Sequence, residues 1–91
     1  MRIYYSAKFE REYRRLPLEI KLLAEEKEKM FRNDPFDPRL HTHKLHGGLK
    51  DYWAFQLDQR HRVIFGFAKE RVVWFHAVGD HSIYKWSIEF K

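Results

Sequence analysis

Residues 41–53, HTHKLHGGLKDYW, set three histidines within six positions and then run into glycines and aromatics. An imidazole changes charge near neutral pH, so it can move protons; when neutral it can also bind a metal. His41, His43 and His46 could therefore be zinc ligands, an acid–base site or solvated side chains. Zinc would take three imidazoles here and an Asp or Glu as the fourth ligand. The chain has no cysteine to assist. Ligands on a loop also need partners that hold their rings, and the sequence offers none that can be identified. No metal is expected. The remaining chemistry-bearing residues lie further along. Arg62 stands in HRVIF, and His81 and Tyr84 stand in GDHSIY. A guanidinium stays charged and forks onto phosphate oxygens. An unpaired charge does not sit in a buried sheet. Arg62 beside Val63, Ile64 and Phe65 is therefore either an exposed salt-bridge partner or an anion site.

The elements that must position these groups follow from periodicity. RIYY, residues 2–5, reads as a short strand. Ser6 can cap a helix in which Phe9, Tyr13 and Leu16 recur at helical spacing. Pro17 ends that helix or opens the next. Ile20, Leu23, the Lys27 stem, Met30 and Phe31 form a second apolar stripe, and Pro35 and Pro38 stop it. Residues 34–48 read as a loop ending in Gly47-Gly48. The period then becomes two. Trp53, Phe55 and Leu57 oppose Tyr52, Ala54 and Gln56. His61, Val63, Phe65 and Phe67 oppose Arg62, Ile64 and Gly66. Val72, Trp74, His76 and Val78 oppose Val73, Phe75 and Ala77. His61 and His76 read as structural, and the tryptophans and phenylalanines as core. The expected order is β-α-α-β-β-β, an α+β domain over residues 1–91. The N-terminal strand and helical hairpin would pack on one face of a small twisted antiparallel sheet. The other face would be shallow, concave and partly sheltered.

Composition narrows the class. The chain of 91 residues suits one small domain. Its aromatic content of 18% is not that of a disordered chain. Charge appears too early in MRIYYSAKFERE for a signal peptide, and no run is long enough to span a membrane. A soluble, cytoplasmic protein is expected. Of the net charge of +5, residues 39–91 carry +4, together with all six histidines. The second half is thus the expected polyanion surface.

The segments KLHGGLKDYWAFQLDQRHRVIFGF and VVWFHAVGDHSIYKW resemble the RelE/ParE superfamily of bacterial type II toxins, on the branch that cleaves messenger RNA. The resemblance rests on K-L-x-G at Lys44–Gly47, H-R-V-I-F on the second hairpin strand, V-G at Val78-Gly79 and the GDHSIY ending. An opening strand, charged helices and D-P match as well, so nearly the whole chain is covered. The resemblance implies a metal-free endoribonuclease, usually acting on the ribosome and held inactive by a cognate antitoxin. Operator DNA would be reached only through the antitoxin complex. It equally admits a DNA gyrase inhibitor of the ParE kind, or an inactive toxin-fold protein that binds its antitoxin alone, because fold does not fix function.

Metal-free RNA cleavage needs a base for the 2′-hydroxyl, a cation for the charge at phosphorus and an acid for the leaving oxygen. The resemblance implies that Arg62 binds the scissile phosphate and that His81 acts as acid or base. His43 stands where relatives carry a base, and Tyr84 would stack on a base or donate a proton. Lys44, His46, Lys50, Arg60 and Lys85 are candidate RNA contacts; His41 is expected to be solvated. One departure stands out. Ala54 and Gln56 occupy strand positions where such toxins carry basic residues.

Overall fold

A computed structural model of the chain describes residues 1–85, Lys85 by its backbone alone. The N-terminal strand β1, Arg2–Tyr5, is followed by helix α1, Ala7–Arg14, and helix α2, Leu18–Asn33. The Ser6 hydroxyl accepts the Phe9 N–H at 3.0 Å and donates to the His76 carbonyl at 3.0 Å. It thus caps α1 and ties it to the sheet. α2 stops at Asp34, because the residue before Pro35 is driven out of the helical region.

Four further strands follow: β2 (His43–Lys44), β3 (Trp53–Gln56), β4 (Arg62–Lys69) and β5 (Val72–Gly79). Their order in the sheet is β1-β5-β4-β3-β2. β2 to β5 pair antiparallel, whereas β1 lies parallel to β5 as an edge strand. The expected loop at 34–48 therefore contains a strand. Two residues are too few to show a period, so the pairing to β3 was not legible.

One face of the sheet carries the main core. Phe31 of α2 is fully buried, with its ring 5.0, 4.9 and 5.4 Å from those of Phe55, Phe65 and Phe75. Val63, Val73, Val78 and Phe9 complete this layer. The opposite face carries a smaller cluster of Ala54, Ile64 and Ala77, covered by Leu45, Leu49 and Ile83. That is the partial shelter the two-sided apolar pattern requires.

The strict alternation expected along β5 fails at one point. Phe65 pairs with Phe75 but Ile64 pairs with Ala77, so His76 is an extra residue. Val78 then joins Phe75 on the helix-covered face while Ala77 joins Ile64 on the other. The Glu12 carboxylate accepts the Val78 N–H at 3.1 Å, so α1 satisfies a donor at the disturbed stretch. Trp74 is a second correction. It is exposed on the face away from the helices, not core, because its cross-strand neighbours are Tyr4 and the side-chain-less Gly66.

Candidate active site

Arg62 pairs across the sheet with Gln56 and Gly79, next to the row Ala54–Ile64–Ala77 and on the same side. It therefore projects from the face the helices leave uncovered. Its neighbour Val63 points into the core. Among the described residues the guanidinium donates to the Gln59 carbonyl alone, at 3.4 Å. Among the described residues no carboxylate lies within ion-pair distance of it. A guanidinium carries five N–H donors, more than this one contact uses.

The register puts the β3–β4 turn and the end of β5 at the same end of the sheet. There Gln59, Arg60, Arg62, Asp80, His81 and Ser82 line an open cleft of about 500 Å³. Gly79-Asp80 leads into a short 3-10 helix, His81–Lys85. The Asp80 carboxylate accepts the Ser82 N–H at 2.9 Å. Bonds from the Ser82 side chain and backbone hold Asp80 below the usual carboxylate range. Asp80, Ser82 and Gln59 were not among the expected site residues. The D-x-S pattern of an Asx turn was the available signal for the first two.

Ile83 plugs the smaller cluster and thereby fixes the 3-10 helix. His81 is exposed, with its ring edge-on to Tyr84 at 5.3 Å. Burial raises the Tyr84 pKa, and the Arg62 charge partly offsets this. The phenol thus keeps its proton at neutral pH and can donate it as a hydrogen bond. Arg62, His81 and Tyr84 come together.

His43 stands opposite Ala54, which stands opposite Ile64, so it shares the uncovered face. It lies two strands and two residues from Arg62, about 12 Å between Cα atoms. Its Nδ1 is 3.0 Å from the His41 carbonyl. A carbonyl only accepts, so that contact requires the hydrogen on Nδ1. His41 is exposed with φ 51°. Among the described residues no three His, Asp or Glu side chains gather as metal ligands.

The expected RNA contacts divide. Arg60 lines the Arg62 cleft. Lys44 pairs with Trp53 and shares its side of the sheet, the one opposite Arg62, because strand side chains alternate. His46 and Lys50 are exposed on the 45–52 hairpin, at the end of the sheet remote from Arg62. The Lys85 side chain lies outside the described residues. Of the structural histidines, His61 is partly buried, its Nδ1 3.1 Å from the Asp58 carboxylate. Burial would raise the Asp58 pKa, but bonds from the His61 and Arg60 backbones and the His61 ring outweigh it. His76 sits edge-on to Tyr52 at 5.1 Å, and burial lowers its pKa.

No model of a protein family matches the sequence, and no curated protein matches it either. Solved structures do. YafQ from E. coli superposes with a TM-score of 0.76 at 17% identity, covering 92% of this chain and 98% of that one. A YoeB/ParE toxin from Agrobacterium tumefaciens gives 0.75 at 14% identity, with 89% and 99% covered. The YoeB-YefM complex from Staphylococcus aureus gives 0.72 at 14% identity, with 89% and 97% covered. Each alignment thus takes in about nine-tenths of this chain and nearly all of the other. The chain has the fold of the RelE/ParE-superfamily toxins, the fold implied by its own K-L-x-G, H-R-V-I-F and GDHSIY stretches.

Proposed function

We propose that the chain is the toxin of a toxin–antitoxin pair and a metal-independent endoribonuclease that cleaves messenger RNA on the ribosome. One observation carries the reading: Arg62 projects from the uncovered sheet face, free of carboxylates within ion-pair distance among the described residues, into a cleft shared with His81. A base takes the 2′-hydroxyl proton, and O2′ attacks the adjacent phosphorus. The bond from phosphorus to O5′ breaks, and an acid protonates O5′. The products are a 2′,3′-cyclic phosphate and a 5′-hydroxyl. Arg62 stabilises the charge on the phosphoryl oxygens. His81 is acid or base, Tyr84 orients the substrate as a hydrogen-bond donor, and His43 is the candidate for the second proton transfer. Arg60 holds the flanking phosphate.

The antitoxin is the proposed protein partner. Leu18 and Leu22, one turn apart on α2, are 71% and 57% exposed, an apolar strip that a partner helix would cover. The S. aureus structure is a complex of YoeB with YefM. A second reading is a gyrase-binding or antitoxin-only protein. It is favoured by the strand beside Arg62, where Ala54 is fully buried and Gln56 is neutral.

Cleavage of a defined message, with and without ribosomes, tests the first reading. Wild type should cut it, and Arg62→Ala and His81→Ala should not. Cutting that survives both substitutions removes the assigned site. Absence of cutting by wild type, with inhibition of gyrase supercoiling, selects the second reading.

A further inference from the structure

A row of aromatic side chains crosses the uncovered face beyond the Arg62 cleft. Tyr4 on β1, Trp74 on β5 and Gly66 on β4 are successive cross-strand neighbours, and the ring of Tyr52, the residue before β3, lies beside Gly66. The Tyr4 and Trp74 rings stack at 5.1 Å and 27°. Trp74 in turn lies nearly parallel to the His76 ring, at 6.4 Å and 18°. Gly66 keeps this surface low. A Cβ there would meet His76 Nε2 at 3.4 Å and Tyr52 at 3.6 Å. Tyr4 and Trp74 remain 41% and 37% exposed, although aromatic rings are usually buried. Arg2, two residues before Tyr4 and on the same face, brings its guanidinium 3.4 Å from the Tyr4 hydroxyl. Burial keeps His76 neutral near pH 7, so it stacks without adding charge.

Stacked, half-exposed rings edged by a cation are the elements of a surface for single-stranded nucleic acid. From the proposed endoribonuclease reading, on which this rests, we infer that Tyr4 and Trp74 form a second RNA subsite that stacks a base flanking the cleavage point. Arg2 would pair with its phosphate. Gly66 lies four residues along β4 from Arg62, about 13 Å away. A single strand covers that distance in about four stacked nucleotides, passing over the ridge of Leu45, Leu49 and Ile83. The occupant is RNA because a guanidinium, that of Arg2, edges the aromatic row and the row shares its face with the cleft.

The test measures binding of uncleavable, fully 2′-O-methylated oligoribonucleotides by fluorescence anisotropy. One is a trimer that fits the Arg62 cleft; the other is a dodecamer that reaches both subsites. Trp74→Ala and Tyr4→Ser should each weaken the dodecamer about tenfold and leave the trimer unchanged. Trp74→Phe, which keeps a ring, should restore most of the loss, and Arg2→Ala should flatten the salt dependence. Equal affinity of wild type, Trp74→Ala and Tyr4→Ser for the dodecamer would overturn the subsite. Arg62→Ala would still abolish cleavage, so the nuclease reading would stand, and the row would be left to a protein partner or a second copy. A wild type that binds and cleaves no RNA would overturn both.

Discussion

Arg62 is tested through its geometry as well as its charge. Arg62→Ala should lower cleavage by about two to three orders of magnitude with the melting temperature unchanged, since among the described residues the side chain makes one long hydrogen bond. Arg62→Lys should recover little, because an ammonium cannot fork onto two phosphoryl oxygens. Full rescue by lysine, in a single-turnover assay, would reduce the role to general electrostatics. His76 yields a second prediction at this scale. Burial holds its folded-state pKa below its ordinary value of 6.5. As pH falls through that window the unfolded chain binds a proton that the folded chain refuses. His76 therefore costs stability as pH falls below about 6.5 and costs none above it. Melting temperatures between pH 7.5 and 5 should drop less in His76→Gln than in wild type. Parallel curves would refute the assignment. Part of the candidate site was legible in the sequence: Arg62 was expected on an apolar strand, as an exposed salt-bridge partner or an anion site, and it projects from the uncovered face with no carboxylate at ion-pair distance among the described residues. Lys44 could not be placed, because its facing depends on a two-residue strand whose register is set by Trp53 and Ala54.

Elements carry the site through a few tight junctions. The Gly79–Ile83 contact is one of them. A Cβ on Gly79 would lie 2.7 Å from Ile83 Cγ2, so something must shift. Ile83 plugs the smaller cluster between His81 and Tyr84. Gly79→Ala should move the 3-10 helix and lower cleavage about tenfold, with little loss of stability. Unchanged activity would mean that Ile83 changes rotamer without moving its neighbours. The helices and the three strands β3 to β5 followed from Phe9–Tyr13, Ile20–Phe31 and the alternation from Trp53 onwards. The β5 irregularity did not. The sequence VVWFHAVG alternates equally well without a bulge, and only the pairing of Ile64 with Ala77 and of Phe65 with Phe75 reveals it. The parallel pairing of β1 with β5 was illegible for a similar reason, since four residues do not name their partner.

The whole molecule is a thin sheet with one deep and one shallow face. Its rigidity rests on the deep one, where the Phe31 ring meets three others. Phe31→Ala should destabilise the domain by about 3–5 kcal/mol, a large share of what a chain of this size holds. Urea titration should show one cooperative transition moved to lower denaturant. A shift of under about 1 kcal/mol would place the core elsewhere. The shallow face gains the freedom to bind from this division. Its cluster is small, Ala54, Ile64 and Ala77 beneath Leu45, Leu49 and Ile83, so Arg62, His81 and the Tyr4–Trp74 stack can face solvent. The shallow face does not come from residues 39–91 alone, since Arg2 and Tyr4 lie on it from the first strand.

The central claim is that this face directs a 2′-hydroxyl at its neighbouring phosphate. The most direct measurement is end-group analysis of a message cut by the wild-type protein, beside the same message with one 2′-deoxynucleotide at the cleavage point. The account predicts 2′,3′-cyclic phosphate ends on the first and no cut at that position on the second. Ends bearing a 3′-hydroxyl, or undiminished cutting of the deoxy-substituted message, would contradict it.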